Sequence, residues 1–196
     1  MEPRRLIEVM ALAEQMKNQT RHSWTSGGRH ESVAEHSWRL GVLAYFVKDE
    51  FPEADMERVM LMCMFHDIGE AFTGDVPAFE KDERHEKEEE RQVRKWIGEL
   101  PEPYGAELWE LFEEMKAKRT LEAKIYKALD RLEALIQHNE ADISTWLPLE
   151  YDLQLTYGEK DVSFSSYLKE LRRQVNLDSI EKMKSEFKKS EKEPSA

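Results

Sequence analysis

The sequence predicts an all-α fold, a single-domain helical bundle. Three observations carry that expectation. Apolar residues recur at helical spacing in one segment after another. Glycine and proline are scarce, at 8 and 7 of 196 residues. Runs that alternate apolar and polar residues, as half-buried strands would, are absent. The length suits one domain with a sizeable core, and there is no internal repeat and no composition shift to mark a domain boundary.

The elements follow in order. Leu6, Val9, Ala13 and Met16 form the apolar stripe of a first helix. The polar stretch Asn18 to Glu31, with Gly27-Gly28, interrupts it and reads as a loop. Ser32-Val33-Ala34-Glu35 reads as a capping box that opens the next helix, whose inner face runs His36, Leu40, Leu43, Val47. Asp55 caps a third helix reaching about Gly69, apolar nearly all round from Val59 to Phe65 and therefore expected to be central and buried. Glu70 to Phe79 is a turn-rich connection. The charged run after Lys81 leads into Val93, Trp96, Ile97 and Leu100, one long surface helix closed by Pro101 and Pro103. A helix near Tyr104–Met115 follows. The next, near Thr120–His138, has Leu121, Ile125, Ala128, Leu132 and Leu135 in register. Pro148 interrupts the region after it, and a last helix covers roughly Ser163–Phe187. The domain is thus expected over residues 1–180, with a charged, disordered tail at 188–196.

Composition limits the function. Charged residues make up 36% of the chain, the net charge is -12 and the mean hydropathy is -0.75. An acidic protein lacks the basic face that duplex nucleic acid requires, though a local basic pocket or a metal can still hold a small phosphorylated ligand. No stretch approaches the apolar length of a membrane span. Cys63 is the single cysteine, so no disulfide framework exists; it reads as a buried structural thiol. With no apolar leader at the N-terminus, a cytoplasmic setting is expected.

The candidate chemistry centres on His66-Asp67. His66 shares a helical face with Val59, Met62 and Cys63, and His36 lies beside Leu40, Leu43 and Val47. A buried imidazole needs a partner. Two inward histidines on separate helices can converge on a common ligand, or each can be a core residue satisfied by one hydrogen bond. Asp67 adds a carboxylate beside one ring. Histidine with aspartate makes a mixed nitrogen–oxygen set that suits manganese, cobalt, iron, zinc or magnesium, and ligand type alone does not choose among them.

The pattern His36 … His66-Asp67 … Asp resembles the HD-domain phosphohydrolase superfamily. Within it, the stretches ESVAEHS (Glu31–Ser37) and HDIGEAFTGDVP (His66–Pro77) resemble the small YfbR-type 5'-deoxynucleotidases, over about residues 5–140. The resemblance implies an HD-type bundle with one divalent metal ion between its central helices, bound by His36, His66, Asp67 and Asp130. Asp130 rests on the resemblance; spacing alone leaves it open as a solvated helix carboxylate, on a face with Ala123 and Ala134. It also implies that Glu70 and Asp75 are catalytic, without deciding which activates water and which serves the leaving group. Substrate contacts are implied at Arg21, Trp24, Asp75, Val76, Pro77 and Ala78. Arginine suits phosphate because its planar fork matches the oxygens, and Trp24 would stack on a base or wall off the sugar. In some relatives the arginine and tryptophan are adjacent; here His22-Ser23 separates them. Lys81 would add positive charge near the phosphate.

The implied activity is metal-dependent hydrolysis of the 5'-phosphate of (deoxy)nucleoside monophosphates by a homodimer. Other readings remain at this point: an HD hydrolase acting on a nucleoside triphosphate or a guanosine alarmone, a nucleotide-binding sensor without catalysis, or a helical interaction module.

Overall fold

The computed structural model describes residues 1–77 and 79–190. In chain order the elements are α1 (Pro3–Gln15), β1 (Thr20–Trp24), β2 (His30–Ser32), α2 (Val33–Val47), α3 (Met56–Phe65), α4 (Glu70–Thr73), α5 (Glu83–Gly98), α6 (Tyr104–Ala117), α7 (Leu121–Glu140), α8 (Glu150–Thr156) and α9 (Ser166–Ser190), with single 3-10 turns at Lys48–Glu50 and Ile143–Thr145. Helices dominate, as the periodicity requires.

Local chemistry starts the central helices where expected. The Ser32 hydroxyl accepts from the Glu35 N–H while the Glu35 carboxylate accepts from the Ser32 N–H, a complete capping box at the head of α2. Asp55 accepts from the Arg58 N–H at the head of α3, and Thr120 does the same for Ala123 at the head of α7. Each cap satisfies a backbone donor that the first helical turn leaves without a partner.

Helices α2, α3 and α7 pack against one another, with α9 behind α7. Leu40, Ala44, Val59, Met62, Leu129, Leu132 and Leu168 have no exposed surface there. At about 1.5–3 kcal/mol for each fully buried large aliphatic side chain, this cluster dominates the favourable side of folding. A second cluster joins Met16, Val33 and Ile68 to Val93, Trp96, Ile97 and Leu100 of α5 and the turn after it. α7 is buried on two sides. Ile125, Ala128, Leu132 and Leu135 form the apolar stripe, and Tyr126, Asp130, Glu133 and Gln137 form a second, polar strip at helical spacing. That second strip brings carboxylates to α2 and α3.

The structure corrects several expectations. Asn18 to Glu31 is largely an antiparallel hairpin: β1 pairs with β2, Thr20 opposite Ser32 and Trp24 opposite His30, with an irregular register. Strands of five and three residues are too short to print an alternating pattern, and Gly28 at φ +78° makes the turn between them. α3 ends at Phe65, and His66 to Gly69 form a tight turn before α4, which lies inside the predicted connection. α3 is half-exposed rather than buried all round: Leu61 and Met64 face outward. α8 occupies the stretch after Pro148. α9 runs to Ser190, through the first residues of the segment expected as a tail; residues 191–196 lie outside the described residues.

Candidate active site

His66 sits where α3 stops. Its Nδ1 donates to the Cys63 carbonyl at 3.0 Å, which fixes the ring and turns Nε2 inward. His36, fully buried on α2, gives its Nδ1 to Glu133 of α7 in a short hydrogen bond and turns its Nε2 to the same point. Two carboxylates meet them. His36 Nε2 lies 3.2 Å from Asp130 Oδ1 and 3.9 Å from Asp67 Oδ2. His66 Nε2 lies 3.0 Å from Asp67 Oδ2 and 3.7 Å from Asp130 Oδ1.

These four side chains fit a metal ion. His66 Nε2 is buried and makes no hydrogen bond of good geometry, despite the closeness of Asp67. Nitrogen and oxygen atoms each about 2.1 Å from one ion lie roughly 3–3.5 Å apart, close to the spacings found. The set is two imidazoles and two carboxylates, which suits a divalent first-row metal or magnesium. The field agrees with the geometry. Although burial opposes charge, the two imidazoles hold Asp67 below the usual carboxylate range. Asp130, likewise buried, is held well down by Lys127 and the imidazoles. Burial works against a charged His66, yet Asp67 and Asp130 raise it to about 10. The pocket welcomes a cation.

A second acidic cluster, Glu31, His36 and Glu133, stands behind the first. Arg21 fills the place of a cation there: its Nη1 is 2.8 Å from Glu31 and 3.6 Å from Glu133. Despite burial, Glu133 and Glu31 keep the guanidinium firmly charged. The other end of Asp130 is also tied, with Oδ2 accepting from Lys127 Nζ at 2.7 Å.

Glu70 and Asp75 close the opposite side. The turn through Asp67 tightens, with Glu70 N–H donating to the Asp67 carbonyl at 2.9 Å, and so delivers Glu70 next to the ligands. Gly69 permits the close approach of this turn to α5, since a Cβ there would lie 2.5 Å from Glu89 Cγ and 2.9 Å from Val93 Cγ2. Burial, with Asp67, Asp75 and Glu89 nearby, pushes Glu70 up to about 10. Burial also raises Asp75, against the pull of Arg21 and of hydrogen bonds from Glu70 and the His22 N–H.

A cleft of about 450 Å³ opens over these groups. Of the predicted substrate contacts, Arg21, Asp75, Val76 and Pro77 line it, as does Lys81. Trp24 is not among the lining residues. Its ring packs on His30, centroids 4.1 Å apart, and its carbonyl accepts from Gln137; Arg21 and Trp24 both lie on β1, with His22 and Ser23 between them. Ala78 lies outside the described residues. Sequence reasoning missed Glu31, Lys127 and Glu133 as members of the site. Glu31 opens the ESVAEHS stretch, and Glu133 follows Asp130 by one helical turn, a spacing that put both on one face.

The fold and site together define a helical protein in which two histidines and two aspartates form a set that fits a metal ion, beside a cleft. The family model for the HD domain matches residues 13–172. The chain is 34% identical over 142 residues to the human (Homo sapiens) 5'-deoxynucleotidase HDDC2, covering 70% of this chain and 68% of the relative. It is 29% identical over 166 residues to the 5'-deoxynucleotidase hdd1 of Schizosaccharomyces pombe, covering 81% and 77%. A solved structure described as a predicted metal-dependent phosphohydrolase from Magnetospirillum magnetotacticum superposes with a TM-score of 0.74 at 27% identity, covering 91% of this chain and 96% of that one. This chain belongs to the HD-domain family.

Proposed function

We propose that the protein hydrolyses the 5'-phosphate of deoxynucleoside monophosphates, releasing nucleoside and phosphate. The observation that carries the reading is the convergence of His36, His66, Asp67 and Asp130 directly beside Glu70 and its partner Asp75, beneath a cleft sized for one nucleotide. The 5'-deoxynucleotidase relatives supply the substrate class.

A divalent ion in the cradle supplies charge neutralisation for the phosphate and a more acidic water. The chain's own groups do the rest. Arg21, anchored from behind by Glu31, presents its fork to phosphate oxygens. Glu70 holds the proton that the departing 5'-oxygen needs, and Asp75 is placed to accept one from the attacking water. Val76 and Pro77 wall the cleft on that side.

The same reading includes a homodimer and a cytoplasmic setting. Trp38, Val42, Tyr45 and Phe46 of α2 and Leu61 and Met64 of α3 are exposed together on the outer face of the central pair. An exposed apolar patch of this kind, with the Lys48 ammonium over the Tyr45 ring, can meet its own copy across a two-fold axis, and a second copy is its proposed occupant. Among the described residues no helix is long and apolar enough to cross a membrane.

Purified protein supplied in turn with manganese, cobalt, magnesium, iron or zinc should release orthophosphate from at least one deoxynucleoside monophosphate. Release of pyrophosphate or triphosphate from longer nucleotides, with no release from monophosphates, would overturn the reading.

A further inference from the structure

The cleft has an end that the hydrolytic groups do not use. Beyond Asp130 its wall continues along α7 to Leu135 and His138, then crosses to Glu150, Leu153 and Tyr157 on and just after α8. His138 follows Asp130 by eight residues, roughly 12 Å along a helix that rises 1.5 Å per residue. That is the scale of a nucleoside extending from its 5'-phosphate.

Glu150 is built into this end. It is only 7% exposed. Its Oε1 lies 3.1 Å from His22 Nε2, and its Oε2 lies 3.5 Å from His138 Nε2 and accepts from the Leu147 N–H at 2.6 Å. The ring of His138 is fixed in turn, stacked on Trp146 with centroids 4.2 Å apart and bonded through Nδ1 to Gln154 at 2.9 Å. Although burial pushes Glu150 up, His138 and the Leu147 N–H hold it below its ordinary value. A carboxylate is acceptor-only, so this end favours a ligand that offers a donor. Ala134, Leu135, Leu153 and Tyr157 give this end an apolar and aromatic wall, with Gln154 as a polar member, and the Arg131 guanidinium lies 4.4 Å from the Tyr157 ring centre at its edge.

We infer that the α7–α8 end of the cleft is a nucleoside subsite, in which Glu150 accepts a hydrogen bond from the sugar 3'-hydroxyl or from an N–H of the base while Leu135, Leu153 and Tyr157 enclose the ring. The inference rests on the nucleotidase reading, and its test separates the two. Wild type and Glu150→Gln are assayed in parallel on deoxynucleoside monophosphates, on their 2',3'-dideoxy counterparts, and on p-nitrophenyl phosphate, which has neither sugar nor base. The expected result is a fall of about tenfold in the ratio of kcat/KM for nucleotide to that for p-nitrophenyl phosphate in the variant. Wild-type discrimination against the dideoxy compounds, erased in the variant, assigns the donor to the 3'-hydroxyl. Equal use of both sugars by wild type, with both impaired in the variant, assigns it to the base. An unchanged ratio overturns the inference and leaves the nucleotidase reading intact; no phosphate from any nucleotide overturns that reading itself. Should Glu150→Gln fail to fold, wild type alone decides: a phosphate-free deoxynucleoside must inhibit p-nitrophenyl phosphate hydrolysis competitively, and absence of inhibition overturns the subsite.

Discussion

The two walls of the cleft treat carboxylates in opposite ways. On the wall made by α2, α3 and α7, Asp130 is buried and Asp67 half-buried, and both are held ionised because two imidazoles and Lys127 surround them. On the wall made by α4 and the segment after Gly74, Glu70 is buried and Asp75 half-buried, both with acidic neighbours, and both are pushed up. Lys81 does not rescue the second wall, since its ammonium is bonded to Glu89 at 2.6 Å. The same residue type in one cleft is therefore suited to two jobs. Carboxylates backed by cations attract a metal, and carboxylates backed by carboxylates store a proton.

Removing a ligand from the first wall should give the largest effect. His66→Ala deletes a ring whose Nε2 is buried in the centre of the cradle, so phosphate release should fall to background and metal analysis should show the ion lost as well. A variant that kept both its metal and its activity would mean that the wall is not a cradle. On the second wall the losses should divide differently. Glu70→Gln and Asp75→Asn should each lower kcat by about 10²–10⁴, the usual worth of general acid–base catalysis, with metal content retained. Loss of metal from either variant would erase the distinction between the walls.

The distinction was only partly legible in the sequence. The capping box at Ser32 and the apolar stripes of α2, α3 and α7 set the helices, and helix faces then placed His36 and His66 inward. Those are periodic, short-range signals. Asp130 was not chosen by spacing because its face of α7 is polar, and a polar strip looks solvated until a second helix is packed upon it. The hairpin was invisible for a related reason: its strands are short, their register is irregular, and β1 is held by a tertiary contact, the Gln137 side chain bonded to the Trp24 carbonyl. That contact also fixes where Trp24 goes, which the local sequence could not reveal. The charge states of the two walls depend wholly on three-dimensional neighbours.

A smaller loss should follow from the layer behind the first wall. Glu133, 1% exposed, holds His36 through Nδ1, and Arg21 and Arg39 approach its two oxygens at 3.6 and 3.7 Å. Carboxylates that orient a ligating histidine typically contribute 10–100-fold in metal affinity. Glu133→Gln keeps the shape but loses the charge, so titration of metal-stripped protein should show a dissociation constant raised by about that factor. Activity should return at saturating metal. If affinity is unchanged while kcat falls, Glu133 acts on the phosphate side through Arg21 rather than on the cradle.

The smallest effect tests whether the first wall is positioned by backbone or by side chains. Cys63 is fully buried one turn before His66, and burial pushes its thiol far up, so it is neither exposed nor a thiolate. Its carbonyl, not its sulfur, is what holds the His66 ring. Thiol reagents should therefore leave the native protein unlabelled and modify one site after denaturation. Cys63→Ala should cost about 1 kcal/mol of stability for the lost packing while kcat and metal content stay at the wild-type level. A large loss of metal from this variant would show that the side-chain packing of α3, rather than the carbonyl at its end, sets the direction of the imidazole.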